Sequence, residues 1–251
     1  MTSTSSDPSG VDPNGSGHRP TLAVLQPGYL PWLGFFDLMR RSDVFVYYDD
    51  VQYDTHGWRN RNRIKSPNGP HWLTVPVRHH GLNRPRILDV EIDDRGGWAR
   101  RHVGTIRQFY GGAPYVDRYL SELEPLLHGP WDRLIDLDLA VASQMAEWLG
   151  VRTTVERSST LAIDGERSER LVKICSHFGA RRYLSGAAAR TYLDVDLFAR
   201  NGIEVIWQDY QHPVYAQQHG EFVPYLSALD LLLNSGGASA AILAGTWEPP
   251  E

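Results

Sequence analysis

One cysteine, Cys175, stands in 251 residues, so no disulfide can close within the chain. Long apolar runs are missing too: nothing approaches the roughly 20 consecutive apolar residues that a helix needs to cross a bilayer. There is no excess of positive charge either. The formal net charge is -5, which leaves no global basic field to displace counterions from a nucleic-acid backbone. No basic segment followed by an apolar stretch of signal-peptide length opens the chain. The expectation is a cytoplasmic protein with no nucleic-acid partner and no membrane partner. Common site signatures are absent as well: CxxC, HxxxH and HExxH for metals, GxxxxGKS/T and GxGxxG for phosphates, and GxSxG for a serine nucleophile. No metal site is expected.

What is present is ordinary globular material, 41% hydrophobic and 22% charged. Residues 1–20 are rich in Ser, Gly, Pro and Asp with no large apolar residue after Met1 but Val11, and read as a disordered tail. The rest reads as a single α/β domain, 21–251. Thr21 to Leu25 is a short apolar run suited to a buried parallel strand. A Pro/Gly turn follows, then apolar residues at helical spacing from Trp32 to Arg41, and a second apolar run from Val44 to Tyr48. This is a complete βαβ unit, whose ligands bind beyond the carboxyl ends of the strands.

Trp58 to Lys65 is basic and polar. Trp72 to Val77 and Leu88 to Ile92 read as strands. Residues 97–149 form a mainly helical insertion covering one side, with Asp132 as a capping residue and an apolar stripe of Leu134, Leu137, Val141, Met145 and Trp148. Helices are expected at Ser168 to Phe178, Val195 to Asn201 and Tyr225 to Leu233, and strands at Arg182 to Leu184 and Ile203 to Trp207. Alternation of this kind gives a Rossmann-like parallel sheet with helices on both faces.

Four segments could carry chemistry. In Gln26-Pro27-Gly28-Tyr29-Leu30-Pro31-Trp32 two prolines stiffen a loop at a strand's carboxyl end and Gly28 permits a sharp turn. Its backbone amides suit a ligand; the alternative is a tight turn plugged by aromatics. In Asp49-Asp50-Val51-Gln52, strand alternation sends the two carboxylates to opposite sides, and one of them is expected to face the first loop. In Trp58-Arg59-Asn60-Arg61-Asn62-Arg63, guanidiniums suit phosphate or carboxylate and the amides suit a sugar or amide group. In Asp209 to Gln217, His212 precedes a proline and is the first choice among ten histidines for an acid or base. Cys175 falls on the apolar face of its helix and is read as core.

The first loop together with Asp43 to Val46, Asp50 to Tyr53 and Trp58 to Asn62 resembles the WbqC-like family. Tyr183-Leu184-Ser185-Gly186, Tyr215-Ala216-Gln217 and Leu226 to Leu232 agree in order. The resemblance implies a bacterial tailoring enzyme of surface-polysaccharide or natural-product biosynthesis, with acyl or aminoacyl transfer to an amine as its expected form. It carries Ser185, Gly186, Tyr215 and Gln217 into the expected substrate site beside Gln26, Pro27, Gly28, Tyr29, Trp32, Gln52, Trp58, Arg59, Asn60 and Arg61. His212, Asp50 and Asp49 are the expected catalytic groups. The expected donor is phosphopantetheine-linked or nucleotide-linked, and a carrier protein is a candidate partner. The start of the chain also resembles nucleotidylyltransferases and pantothenate synthetase, but Trp32 and Phe35 occupy the two histidine positions of their HxGH motif. Without those cations, adenylyl transfer by that mechanism lacks its charge stabilisation. An ATP-using ligase and a non-catalytic sugar-binding module are the alternatives.

Overall fold

In the computed structural model, residues 19–78 and 84–247 are described. The expected tail up to residue 18 and the adjacent His79 and His80 lie outside them. Five parallel strands form the central sheet: β1 (Thr21–Leu25), β2 (Val44–Tyr47), β7 (Thr154–Arg157), β8 (Arg182–Gly186) and β9 (Glu204–Gln208). They lie in the order β7-β2-β1-β8-β9. Counted along the chain this is third, second, first, fourth, fifth, so the order reverses between β1 and β8. Such a switch point opens a crevice beyond the strands' carboxyl ends.

Alternation along the strands assigns each residue to a face. Ala23, Phe45 and Tyr47 point into one core together with α1 (Leu33–Arg40), α2 (Trp98–Tyr110), α3 (Val116–Leu127), α4 (Leu134–Trp148) and α7 (Ala228–Ser235). Leu22, Val24 and Val46 point into the other, covered by α5 (Arg167–His177) and α6 (Val195–Arg200). The fold is therefore Rossmann-like, with helices on both faces, and residues 97–149 add helices to the first face. Burial of each large side chain in these layers contributes about 1.5–3 kcal/mol. Cys175 is fully buried in the second core, where desolvation pushes its thiol up to about 12.

Several elements differ from expectation. Residues 61–66 form a strand, β3 (Arg61–Ser66), paired antiparallel with β4 (Gly69–Thr74). The turn between them needs Gly69 at φ +98. The expected strand at 72–77 is thus split, its end passing into β5 (Val77–Arg78), which pairs with β6 (Glu91–Ile92). The short edge strand β7 carries only one apolar residue, Val155, and gave no strand signal. Arg133, not Asp132, precedes α4, and no side chain caps that helix. The last expected helix starts at Ala228, because Ser227 caps it and Tyr225 sits at φ +59. A final short helix, α8 (Ser239–Ala244), follows. Among the described residues no helix is long and apolar enough to cross a membrane.

Candidate functional site

A cavity of about 320 Å³ opens beyond the end of β1. Its floor is Leu25 and Gln26; the turn into α1 gives Pro31 and Trp32 and α1 itself Phe35, the segment entering β3 gives Trp58 and Arg59 and β3 itself Asn62 and Arg63, and Tyr225 closes one side. Local chemistry fixes the first loop. Gly28 passes so close to the Trp58 carbonyl that a Cβ would lie 2.8 Å from its oxygen. Leu30 holds φ +46, uncommon for a branched side chain. Asn62 stabilises that turn: its Nδ2 donates to the carbonyls of Tyr29 (3.3 Å) and Leu30 (2.7 Å).

Tyr29 points away from the cavity. Its hydroxyl donates to Nδ1 of His102 on α2 at 3.0 Å, while Nε2 of that ring donates to the Thr74 carbonyl at 3.2 Å. Burial holds His102 down to about 4, so this buried strut is neutral at physiological pH. Pro27 is buried, and its carbonyl accepts from Arg59 Nη1 at 2.6 Å. Arg59 in turn accepts the Tyr29 amide on its own carbonyl at 2.9 Å. The loop and the β3 segment thus clasp each other on both sides.

The electrostatics of the cavity come from Arg59 and Arg63. Burial lowers the proton affinity of the Arg59 guanidinium. Its Nε and that of Arg63 are buried without a hydrogen-bond partner. Arg63 lies over the Trp58 ring at 5.2 Å, and its Nη2 reaches the Tyr225 carbonyl at 3.4 Å. Neither guanidinium forms an ion pair among the described residues. Tyr225 lies outside the expected set, while Asn62 and Arg63 belong to the basic segment singled out in the sequence but not to the named substrate residues. Arg63 follows Arg61 by two residues, the same outward register on a strand, and that spacing was its signal in the sequence.

Of the expected binding residues, Gln26, Gly28, Trp32, Trp58 and Arg59 line the cavity. Others are placed elsewhere, each for a visible reason. Asn60 is buried and donates to the Val75 carbonyl at 2.8 Å. Arg61 is spent on the carbonyls of Gly57 and His56 and stacks over Trp72 at 4.8 Å. Gln52 is exposed and bridges Arg86. Ser185 and Gly186 end β8 across the switch point without lining the cavity.

Asp49 and Asp50 do not face the first loop, and they do not point apart. The strand stops at Tyr47, so its alternation no longer governs them. Both reach Ser158 Oγ, at 3.1 and 2.6 Å. Asp49 also accepts from Arg157 Nε (2.7 Å), Ser159 N (2.9 Å) and Ser159 Oγ (2.8 Å). Asp50 is paired with both terminal nitrogens of Arg170. Desolvation pushes the Asp50 carboxyl up, but hydrogen bonds from Arg170 and Ser158 outweigh it and hold it below the usual range. The two carboxylates latch the end of β2 to the segment after β7.

His212 lies behind the Tyr225 wall, rings 5.2 Å apart. Its Nδ1 donates to the Pro213 carbonyl at 2.9 Å, which leaves Nε2 as an acceptor, buried and unpartnered. Desolvation lowers its proton affinity. Tyr215 and Gln217, expected at the substrate, instead donate to Oδ1 of buried Asp230 at 2.9 and 2.8 Å. Tyr110 donates to the other oxygen at 2.6 Å. That network anchors the segment carrying His212. His212 and Asp50 share no partner: the first sits among aromatics, the second at Arg170 and Ser158.

One further group was not legible. Asp138 on α4 is fully buried, and neither carboxyl oxygen has a partner. Desolvation raises it well above the usual carboxylate range, with the Arg59 charge pulling the other way. In the sequence it sits inside an apolar helix, and nothing in its spacing sets it apart from a solvated residue. Among the described residues no cluster of three His, Cys, Asp or Glu is placed to hold a metal.

A Rossmann-like domain with an arginine-lined cavity at its switch point is thus the class the geometry defines. The chain belongs to the WbqC-like protein family, whose model matches residues 26–242. It is 36% identical over 217 residues to Rv1507c, an uncharacterized protein of Mycobacterium tuberculosis, covering 86% of this chain and 94% of that one. No solved structure gives a significant match.

Proposed function

We propose that the chain binds a phosphate- or carboxylate-bearing small molecule at the switch point and there transfers an acyl or aminoacyl group to an amine. The observation that carries the binding step is the pair Arg59 and Arg63, two partly buried guanidiniums in one cavity wall with unpartnered Nε atoms and, among the described residues, no ion pair. Guanidinium forks left unpaired in a partly dry wall favour an anion strongly. Trp32, Trp58 and Tyr225 supply faces on which a ring can stack.

Acyl transfer is the expectation that comes with the family, and the state of His212 supports it. A neutral imidazole with a free Nε2 lone pair can take the proton that an attacking ammonium must lose. Asp49 and Asp50 have no part in this scheme, since their oxygens are already engaged. The donor is of the phosphopantetheine-linked or nucleotide-linked class, free or borne on a carrier protein. The HxGH-type alternative is weakened because Trp32 and Phe35, which stand at the two histidine positions and line the cavity, supply no cation there.

Thermal stabilisation tests the reading. Phosphopantetheine thioesters, nucleotide-linked amino sugars and ATP with magnesium are each added to the full chain. A ligand at a hundredfold over its dissociation constant adds about 2.7 kcal/mol. Stabilisation by thioesters or amino sugars that disappears in Arg59→Ala and Arg63→Ala is expected, followed by amide product in mass spectra that is lost in His212→Ala. Stabilisation by ATP alone would move the protein to the nucleotidylyl class. Ring binding with no product would make it a sugar-binding module.

A further inference from the structure

Behind the Trp32 and Tyr225 walls of the cavity lies an aromatic cluster that the arginines do not explain. Trp32 packs edge-on against Tyr210 at 5.2 Å and against Tyr225 at 5.7 Å. Tyr225 packs on His212 at 5.2 Å, and His212 on Tyr210 at 5.9 Å, which closes a ring of four aromatic side chains. Two of these four residues carry a buried polar atom with no partner, Tyr210 Oη and His212 Nε2. Buried polar atoms are rarely left so, and each orphan calls for an explanation.

The chemistry of the orphans selects what would satisfy them. His212 Nδ1 is committed as a donor to the Pro213 carbonyl, so Nε2 can only accept. Tyr210 Oη offers a lone pair as well. The missing group must therefore donate at least one hydrogen bond, and it must sit among aromatic faces, which attract cations. An ammonium meets both demands. A hydroxyl meets only the first, and a carboxylate or phosphate meets neither.

We propose that the amine accepted by this site enters as an ammonium into the Trp32, Tyr210, His212 and Tyr225 box, and that the same molecule carries the anion held by Arg59 and Arg63. The inference rests on the reading of the cavity given above and narrows it: the acceptor is an amino-bearing phosphate or carboxylate, bound by its two ends. The two ends share walls. Tyr225 and Trp32 line the cavity and form the box, and Arg63 reaches the Tyr225 carbonyl. At about 320 Å³ the cavity lies at the low end of ligand pockets, with room for one ring and one anionic group. Tyr225, half exposed, is the shared wall that stands between solvent and His212. Swinging its ring outward joins the box to the cavity. His212 Nε2 then lies against the ammonium whose proton must leave before the amine can attack.

Calorimetry on the full chain with matched probes tests this. Glucosamine 6-phosphate is compared with glucose 6-phosphate and N-acetylglucosamine 6-phosphate, and O-phosphoethanolamine with ethyl phosphate. The amine-bearing member of either set is expected to bind at least tenfold more tightly than its matched partners. Tyr210→Phe keeps the ring and breaks no hydrogen bond, so it is expected to fold normally and to cut that preference severalfold. Arg59→Ala is expected to weaken every member of a set alike. Equal affinity within both sets, lost in Arg59→Ala, would overturn the ammonium box and leave the anion site standing. No binding by any probe would overturn both, and an unchanged preference in Tyr210→Phe would remove that hydroxyl from the box.

Discussion

The indole of Trp32 lies so close over Gly34 that a Cβ there would sit 2.1 Å from the ring. Ala for Gly inside a helix ordinarily stabilises by about 1 kcal/mol. Here the sign reverses, because the added methyl must displace the ring that forms a cavity wall. Gly34→Ala is expected to destabilise by roughly 1–3 kcal/mol, the usual cost of overpacking, and to weaken ligand binding at least tenfold. Urea unfolding and calorimetry check the two halves; a stabilised variant would show that the indole does not rest there.

Asp49 is read as a latch. Removing it leaves Ser158, Ser159 and Arg157 without their shared acceptor. Breaking a buried ion pair costs about 3–5 kcal/mol, and Asp49→Ala should fall near roughly 3 because Arg157 can turn toward water. The expected result is a large loss of stability in chemical denaturation. Arg59→Ala makes the contrast: it breaks one side-chain hydrogen bond, to the Pro27 carbonyl, so it should abolish anion binding at a stability cost of only about 1–3 kcal/mol.

Much of the fold could be read from the chain because strand and helix periods write themselves in apolar residues. Thr21 to Leu25 and Val44 to Tyr47 are strands buried on both faces, and α4 carries its stripe. β3 was hidden because its inward positions include Asn62, an amide spent on the carbonyls of Tyr29 and Leu30. β7 was hidden because an edge strand needs little apolar surface. At the site, Gly and Pro marked the first loop correctly as a place where backbone geometry is special. Asp49 and Asp50 misled for a physical reason. Carboxylates at a strand's end look the same in sequence whether their lone pairs face a ligand or a partner a hundred residues away. The aromatic box is built from Trp32, Tyr210, His212 and Tyr225, which no local pattern could bring together.

His102 predicts a pH dependence of stability. Its folded proton affinity is depressed to about 4 by burial, against about 6.5 for a free imidazole. Between these values the unfolded chain takes up a proton that the folded chain refuses. Stability is therefore full above pH 6.5 and falls as pH drops toward 4, by roughly 3 kcal/mol from this group. His102→Gln should flatten that part of the profile, measured as unfolding free energy from pH 7 to pH 4. An unchanged slope would show that the imidazole gains its proton without opening the Tyr29 strut.

Asp138 acts in the opposite sense over the same window. Burial raises its folded proton affinity, so above pH 4 the unfolded chain releases a proton that the folded chain keeps. Its presence costs stability increasingly as pH rises toward its folded value. Asp138→Asn has no proton to release, so it is expected to melt higher than the parent at pH 7 and to lose most of that advantage at pH 4. Calorimetric melting at the two pH values reads the difference directly. A lower melting temperature at pH 7 would mean that Asp138 is ionised and serves Arg59 as a buried counterion. In that case the same substitution should also tighten anion binding in the cavity, since the arginine would no longer be shared.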